Sequence, residues 1–167
     1  ARENAERRGD IYQLAGSTNY ILSYERKRSI LKNNIFGVDI DPLAVEVSKF
    51  SLLLKALENS SLEEAEAFHQ RTNQRILPNL DENIKNGNSL VNMAYARFDR
   101  SVYQNVSLMN KLKMFAWNAE FGNRKFDAII GNPPYIRVQN MVHYSREEYD
   151  FYKSNHSPYV TAQTDTL

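Results

Sequence analysis

IFGVDIDPLAVEVSKFSLLLKAL, residues 35–57, reads as a strand, a cap and a helix in direct succession. Ile35-Phe36-Gly37-Val38-Asp39-Ile40 is short, apolar and partly β-branched, which suits a strand buried in a sheet. Asp41 then offers an acceptor to the unpaired amide groups of a helix start, and Pro42 takes the first helical position, where its missing N–H goes unused. Leu43, Val47, Phe50, Leu54 and Leu57 follow at spacings of four, three, four and three, so they form one apolar stripe. That stripe is expected to pack on the sheet.

Outward from this segment the alternation continues. Residues 23–32 have a helical pattern, while residues 1–22 carry no pattern that assigns them. Ser61-Leu62-Glu63-Glu64 has the form of a capping box opening a further helix, and Leu77-Pro78 breaks that pattern. Asn83 to Gly87 predicts a short strand followed by the turn-like Gly87-Asn88-Ser89, and Ser101 to Met114 predicts a helix. Phe126 to Gly131 predicts a second buried strand, and Ser145-Arg146-Glu147-Glu148 a second capping box with a short helix behind it. Strands alternating with helices predict an α/β layered fold, with a mostly parallel sheet and flanking helices. At 167 residues and 42% hydrophobic content, the chain is long enough for one core, in a single domain or part of one.

Composition excludes several kinds of chemistry. With no cysteine there is no disulfide, no thiolate nucleophile and no Cys-based zinc site, and a reducing compartment is expected. His69, His143 and His156 lack metal-ligand spacing, so no metal is expected. No apolar run approaches bilayer length and no signal-peptide layout opens the chain, which predicts a soluble, cytoplasmic protein without a membrane partner. The net charge is +1, and the cluster Glu25-Arg26-Lys27-Arg28 reads as a solvated helix surface. Nucleic-acid binding therefore has to be argued from the chemistry of a site.

Ligands of parallel α/β sheets bind beyond the carboxyl ends of the strands, which singles out three sets of residues. Asp39 ends the first strand, where a carboxylate suits the vicinal hydroxyls of a ribose, and Ile40 beside it suits the face of a nucleobase. The alternative is that Asp39 or Asp41 only caps the following helix. Asn88, with Ser89 and Leu90, follows the next strand and offers both a carbonyl and an amide, the pair an adenine edge requires; the alternative is a plain Asn-Ser turn. The third set, Asn132-Pro133-Pro134-Tyr135, is much more specific. An exocyclic amine on adenine is a poor nucleophile because its lone pair is delocalised into the ring. The Asn132 side-chain carbonyl and the Pro133 main-chain carbonyl can accept its two hydrogens, helping the nitrogen to pyramidalise toward an electrophilic methyl group. The prolines hold both acceptors in place beforehand. Tyr135 can stack on a base swung out of a duplex, worth about 1–3 kcal/mol against a flipping cost of a few kcal/mol. The alternative is a rigid diproline turn with Tyr135 in the core.

The run Phe126 to Ile136, "FDAIIGNPPYI", resembles the catalytic motif of S-adenosylmethionine-dependent amino-group DNA methyltransferases. "IFGVDIDP" resembles their acidic cofactor motif, "NIKNGNSL" the segment that lines the cofactor adenine, and the three occur in the family's order. The likeness is greatest to N6-adenine enzymes of restriction-modification systems, especially the type IIG proteins that join methylation and cleavage in one chain. It implies a Rossmann-like methyltransferase fold, S-adenosyl-L-methionine as cofactor and double-stranded DNA as partner of the whole enzyme. By position it implies Asp39 for the ribose, Ile40, Asn88, Ser89 and Leu90 for the cofactor adenine, Asn132 and Pro133, stiffened by Pro134, for the target amine, and Tyr135 for stacking.

Asn-Pro-Pro-Tyr-Ile is also similar to the motif of glutamine N5-methyltransferases, and RNA adenine methylation or a non-catalytic interaction module are further alternatives. The family opens with a strand and a Gly-rich turn, whereas the six glycines here never fall two or three apart. The chain is therefore expected to be a partial methyltransferase domain lacking its central first strand, inactive in isolation and able to self-associate through exposed sheet edges. Arg137 and Gln139 are placed to touch a nucleic-acid backbone.

Overall fold

A computed structural model describes residues 9–13, 16–132 and 138–155, together with Glu3 and Glu6. Its contacts gather into two compact units, Ala1–Asn86 and Gly87–Leu167. In the first unit, β1 (Ile11–Gln13) pairs antiparallel with β2 (Tyr20–Leu22), and α1 (Tyr24–Asn34) follows. Then come β3 (Gly37–Asp39), α2 (Pro42–Leu57), α3 (Leu62–Thr72) and β4 (Ile84–Asn86). β3 and β4 are parallel, with Gly37 opposite Ile84 and Asp39 opposite Asn86. Among the described residues the sheet content is thus one parallel and one antiparallel pair of strands. The architecture is mixed α/β, as expected, but the mostly parallel sheet is not found; the β1–β2 hairpin occupies the N-terminal stretch that carried no readable pattern.

Local chemistry explains where the helices begin. The Asp41 carboxylate accepts the Leu43 N–H at 2.9 Å with Pro42 in the first turn, so the expected cap of α2 forms. At α3 the Ser61 hydroxyl accepts the Glu64 N–H at 3.1 Å, but Glu64 does not reach back to complete the box. Its carboxylate instead accepts the Tyr24 N–H at 2.7 Å, which ties the start of α1 to α3. Tyr24 is fully buried, donates its hydroxyl to the Ile76 carbonyl and meets the Phe68 ring edge-on at 5.6 Å. Asn83 is a buried polar side chain whose amide donates to the carbonyls of Leu31, Lys32 and Ile35 at 3.2, 2.9 and 2.9 Å. It satisfies the open C-terminal carbonyls of α1 and fixes the entry to β3.

The expected packing of α2 is reversed. Val45 and Ala56 are buried with Leu31, Leu80 and Ile84, and Leu52 and Leu53 pack against them, so this face lies on the β3–β4 side. The stripe Leu43, Val47, Phe50 and Leu54 faces solvent, with Leu43 68% and Phe50 63% exposed; only Leu57 packs, against the Tyr24, Ala65 and Phe68 cluster. Two residues along a helix turn the side chain by roughly 200°, so Leu43 and Val45 stand on opposite faces. The helix is apolar on both, and spacing alone does not say which one meets the strands.

The second unit is helical: α4 (Tyr95–Phe98), a 3-10 turn (Arg100–Gln104), α5 (Val106–Leu112), α6 (Trp117–Phe121), α7 (Val138–Tyr144) and α8 (Arg146–Asn155). Val91, Tyr95, Ala96, Val102, Leu112 and Phe151 form its core. The single helix expected over residues 101–114 is broken at Asn105, whose side chain accepts the Leu108 N–H at 3.0 Å and starts α5 afresh. The strand expected over Phe126–Gly131 is absent. Those residues join no strand ladder among the described residues, and Ile129 and Ile130 are 83% and 97% exposed. A strand cannot satisfy its own backbone, so an apolar, β-branched run without a neighbouring strand stays irregular.

Gly87 opens this unit against an aromatic wall. A Cβ placed there would lie 2.6 Å from Cδ2 of Phe115 and 3.2 Å from its Cβ, and Phe115 is itself buried. Gly87→Ala is expected to destabilise the chain by about 1–3 kcal/mol through overpacking, measured as a lowered urea midpoint. An unchanged midpoint would contradict this packing.

Candidate functional site

Asp39 and Ile40 lie where the parallel pair ends, in the first unit. Asp39 is exposed, and its Oδ1 accepts the Asp41 N–H at 2.8 Å. Capping of α2 falls to Asp41, so the two roles weighed for these acids separate: Asp41 holds the helix, while Asp39 stands at the strand tip. Asn86, on the neighbouring strand, donates to the main-chain carbonyls of Asp39 and Ile40 at 2.9 and 3.0 Å and clamps this corner. Ile40 is 48% exposed, although its side chain is apolar. An exposed carboxylate beside an exposed aliphatic face fits the ribose and base of a nucleoside. Asn86 was not marked out by the sequence reading, and an amide one residue before Gly87 carries no local signal of such a clamp.

Asn88 belongs to the second unit and is only 6% exposed. Its Oδ1 accepts the N–H groups of Leu90 and Val91 at 3.1 and 3.2 Å, and its Nδ2 donates to Glu148 Oε1 at 3.3 Å. Its own N–H donates to the Lys113 carbonyl at 2.7 Å, making a parallel bridge with Met114. Both ends of the amide are engaged inside the fold, as in the plain-turn alternative, so this side chain does not offer the free donor–acceptor pair that an adenine edge requires. Ser89 and Leu90 are exposed, and the Ser89 carbonyl accepts the Trp117 indole N–H at 3.1 Å.

Glu148 comes from the fourth position of the second capping box. α8 does start at Arg146, but the buried Ser145 hydroxyl has no hydrogen-bond partner among the described residues, and Glu148 turns inward to Asn88. The Tyr152 hydroxyl donates to its other oxygen, Oε2, at 3.5 Å. Burial pushes the Glu148 carboxyl above the usual carboxylate range, against the smaller opposing effects of Tyr152 and Lys111, and burial beside Glu148 raises the Tyr152 phenol as well. Lys111 is bound to Glu147 at 2.7 Å. Nothing in the helical pattern of residues 145–155 sets Glu148 apart from Glu147; only the tertiary fold does.

Asn132 is exposed at the end of the irregular, exposed stretch 127–132. Pro133, Pro134, Tyr135 and Arg137 lie outside the described residues, as does the side chain of Gln139.

An acid at the tip of a parallel strand, an amide turn after the next strand and an Asn-Pro-Pro-Tyr segment occur in that order along the chain. Residues 33–166 match the Eco57I restriction-modification methylase family, and the chain belongs to it. It is 37% identical over 134 residues to the type II restriction enzyme and methyltransferase RM.Eco57I of Escherichia coli, a match covering 80% of this chain and 12% of that protein. It is 41% identical over 68 residues to a putative type II restriction enzyme and methyltransferase of Methanocaldococcus jannaschii, covering 41% of this chain and 5% of that one. The chain thus spans about an eighth or less of the length of these relatives. No solved structure matches it. Among the described residues, no helix is long and apolar enough to cross a membrane.

Proposed function

We propose that this chain is a segment of a site-specific DNA methyltransferase that transfers a methyl group from S-adenosylmethionine to the N6 amino group of adenine. The observation that carries the reading is Asn132-Pro133-Pro134-Tyr135, with Asn132 exposed where a target amine can reach it. In this reading the two compact units are parts of one Rossmann-like catalytic domain, and the partner is double-stranded DNA. When bound, S-adenosylmethionine supplies an electrophilic methyl group on a sulfonium sulfur. Asp39 accepts hydrogen bonds from its ribose hydroxyls, and Ile40, Ser89 and Leu90 are the residues assigned to its adenine. Asn132 and the Pro133 carbonyl accept the two hydrogens of the target amine and draw its lone pair out of conjugation, with Tyr135 stacked on the base.

The test is methyl transfer from a labelled donor by a longer polypeptide carrying these residues, offered duplex DNA, RNA and a glutamine-containing release factor in parallel. Label on N6 of adenine in the duplex is the expected result. Label on the protein or the RNA alone overturns the reading. In the 167 residues no two glycines fall two or three apart, so the Gly-rich turn of the resembled family is not among them. Calorimetry with S-adenosylmethionine is therefore expected to give a Kd between high micromolar and millimolar, about −4 to −6 kcal/mol. A low-micromolar isotherm would contradict that expectation.

A further inference from the structure

Leu43, Val47, Phe50 and Leu54 stand along α2 at spacings of four, three and four, the a/d rhythm of a two-stranded coiled coil. They are 68%, 56%, 63% and 52% exposed, while Leu57, the next in the series, is taken up by the Tyr24 cluster. Together the four make a continuous apolar stripe of roughly 400–500 Å², a size at which a surface patch commonly marks an interaction site. The sizes and charges along the helix point to one occupant, a second copy of the same stripe. Laid antiparallel about a two-fold axis between Val47 and Phe50, two copies set Phe50 against Val47 of the second copy and Leu43 against its Leu54. The largest side chain then meets the smallest, and each layer has the same width. Ala44 and Ser51 flank the seam on one side, and both are small enough to let the helices approach closely. The Ser51 hydroxyl donates to the Val47 carbonyl at 2.8 Å, so covering it leaves no unpaired donor.

Charge selects the same orientation. Lys55, exposed and ion-paired with Glu58 in its own copy, comes level with the exposed Asp41 at the start of the opposing helix. A parallel pair would instead set Lys55 against Lys55 and Glu46 against Glu46, which like-charge repulsion opposes. The two stripes alone remove roughly 800–1,000 Å² from water, and the flanking residues bring the total into the roughly 1,200–2,000 Å² range of a stable interface. We infer that the outer face of α2 is a homodimer interface, closed antiparallel by a second copy of this chain. Self-association then runs through a helix face and not through a sheet edge.

Sedimentation equilibrium of the 167-residue chain is expected to show a monomer–dimer equilibrium with a micromolar Kd. Phe50→Glu places a charge in the seam twice, once from each copy, and should raise that Kd by about 100-fold or more. Phe50 is exposed in the single chain, so the circular dichroism and urea midpoint of the variant should stay those of the wild type. The chain has no cysteine, so spin labels on Ser48→Cys and, separately, on Glu58→Cys report the orientation of the helices. Antiparallel packing brings the two Ser48 labels level with each other and sets the two Glu58 labels roughly 28 Å apart along the axis, at 1.5 Å per residue. Parallel packing makes both separations short. A chain that stays monomeric at high-micromolar concentration overturns the inference and hands the stripe to a different occupant. A dimer that survives Phe50→Glu overturns it and moves self-association to a sheet edge, and Glu58 labels as close together as those at Ser48 overturn it as well. If Phe50→Glu loses the wild-type circular dichroism, the label distances decide. All of these outcomes leave the methyltransferase reading intact.

Discussion

Asn132→Ala is expected to lower the rate of methyl transfer to duplex DNA by roughly 10²- to 10³-fold, the usual effect of removing one preorganised polar group at a reacting centre. The loss should appear in kcat, with the affinity for S-adenosylmethionine almost unchanged. Asn132 is exposed. A surface substitution of this kind shifts stability by no more than about 0.5 kcal/mol, so an effect of this size belongs to the chemistry and not to folding. The measurement is steady-state transfer of labelled methyl groups by a longer polypeptide carrying residues 1–167, with the urea midpoint determined alongside. Activity within about tenfold of wild type would remove the Asn132 side chain from the acceptor role assigned to it.

The second large effect concerns stability. Phe151 is 1% exposed, its ring centroid lies 5.2 Å from that of Tyr95 and 6.0 Å from that of Phe98, and it joins α8 to the core formed by Val91, Val102 and Leu112. Phe151→Ala should cost about 3–5 kcal/mol, from lost transfer energy and the cavity left behind. That is a large share of the roughly 5–15 kcal/mol that holds a domain together. Trp117 is the sole tryptophan and lies in the same compact unit, so its fluorescence during urea unfolding reads this unit directly. A loss under about 1 kcal/mol would mean that α8 does not pack on this core.

Local signals in the sequence placed helix starts well, although at Ser145-Arg146-Glu147-Glu148 the helix begins without the capping contacts among the described residues. Asp41-Pro42 and Ser61-Leu62-Glu63-Glu64 predicted helix starts that are there, because a cap is a contact between residues two or three apart. Ile35–Ile40 and Asn83–Gly87 contained the strands that pair in parallel. Interpretation failed where the outcome depended on a distant partner. The face of α2 that meets β3 and β4 is set by Leu80 and Ile84, more than twenty residues beyond the helix. Phe126–Gly131 has the composition of a strand but no ladder to join among the described residues. At the candidate site, Asp39 and Ile40 are presented at a strand tip as expected, but the amide of Asn88 is turned into the fold by Leu90, Val91 and Glu148. The last of these lies sixty residues away. No window of sequence brings an asparagine and a glutamate that far apart into one reading.

The outward side of α2 affects how the protein behaves in solution. Leu43, Val47, Phe50 and Leu54 are wetted along one edge of a rod whose other edge is already dry. Fully covering a side chain of this kind is worth about 1.5–3 kcal/mol, so several kcal/mol of unspent adhesion run along the helix. Such a rod is suited to be the filling between two slabs rather than the crust of one.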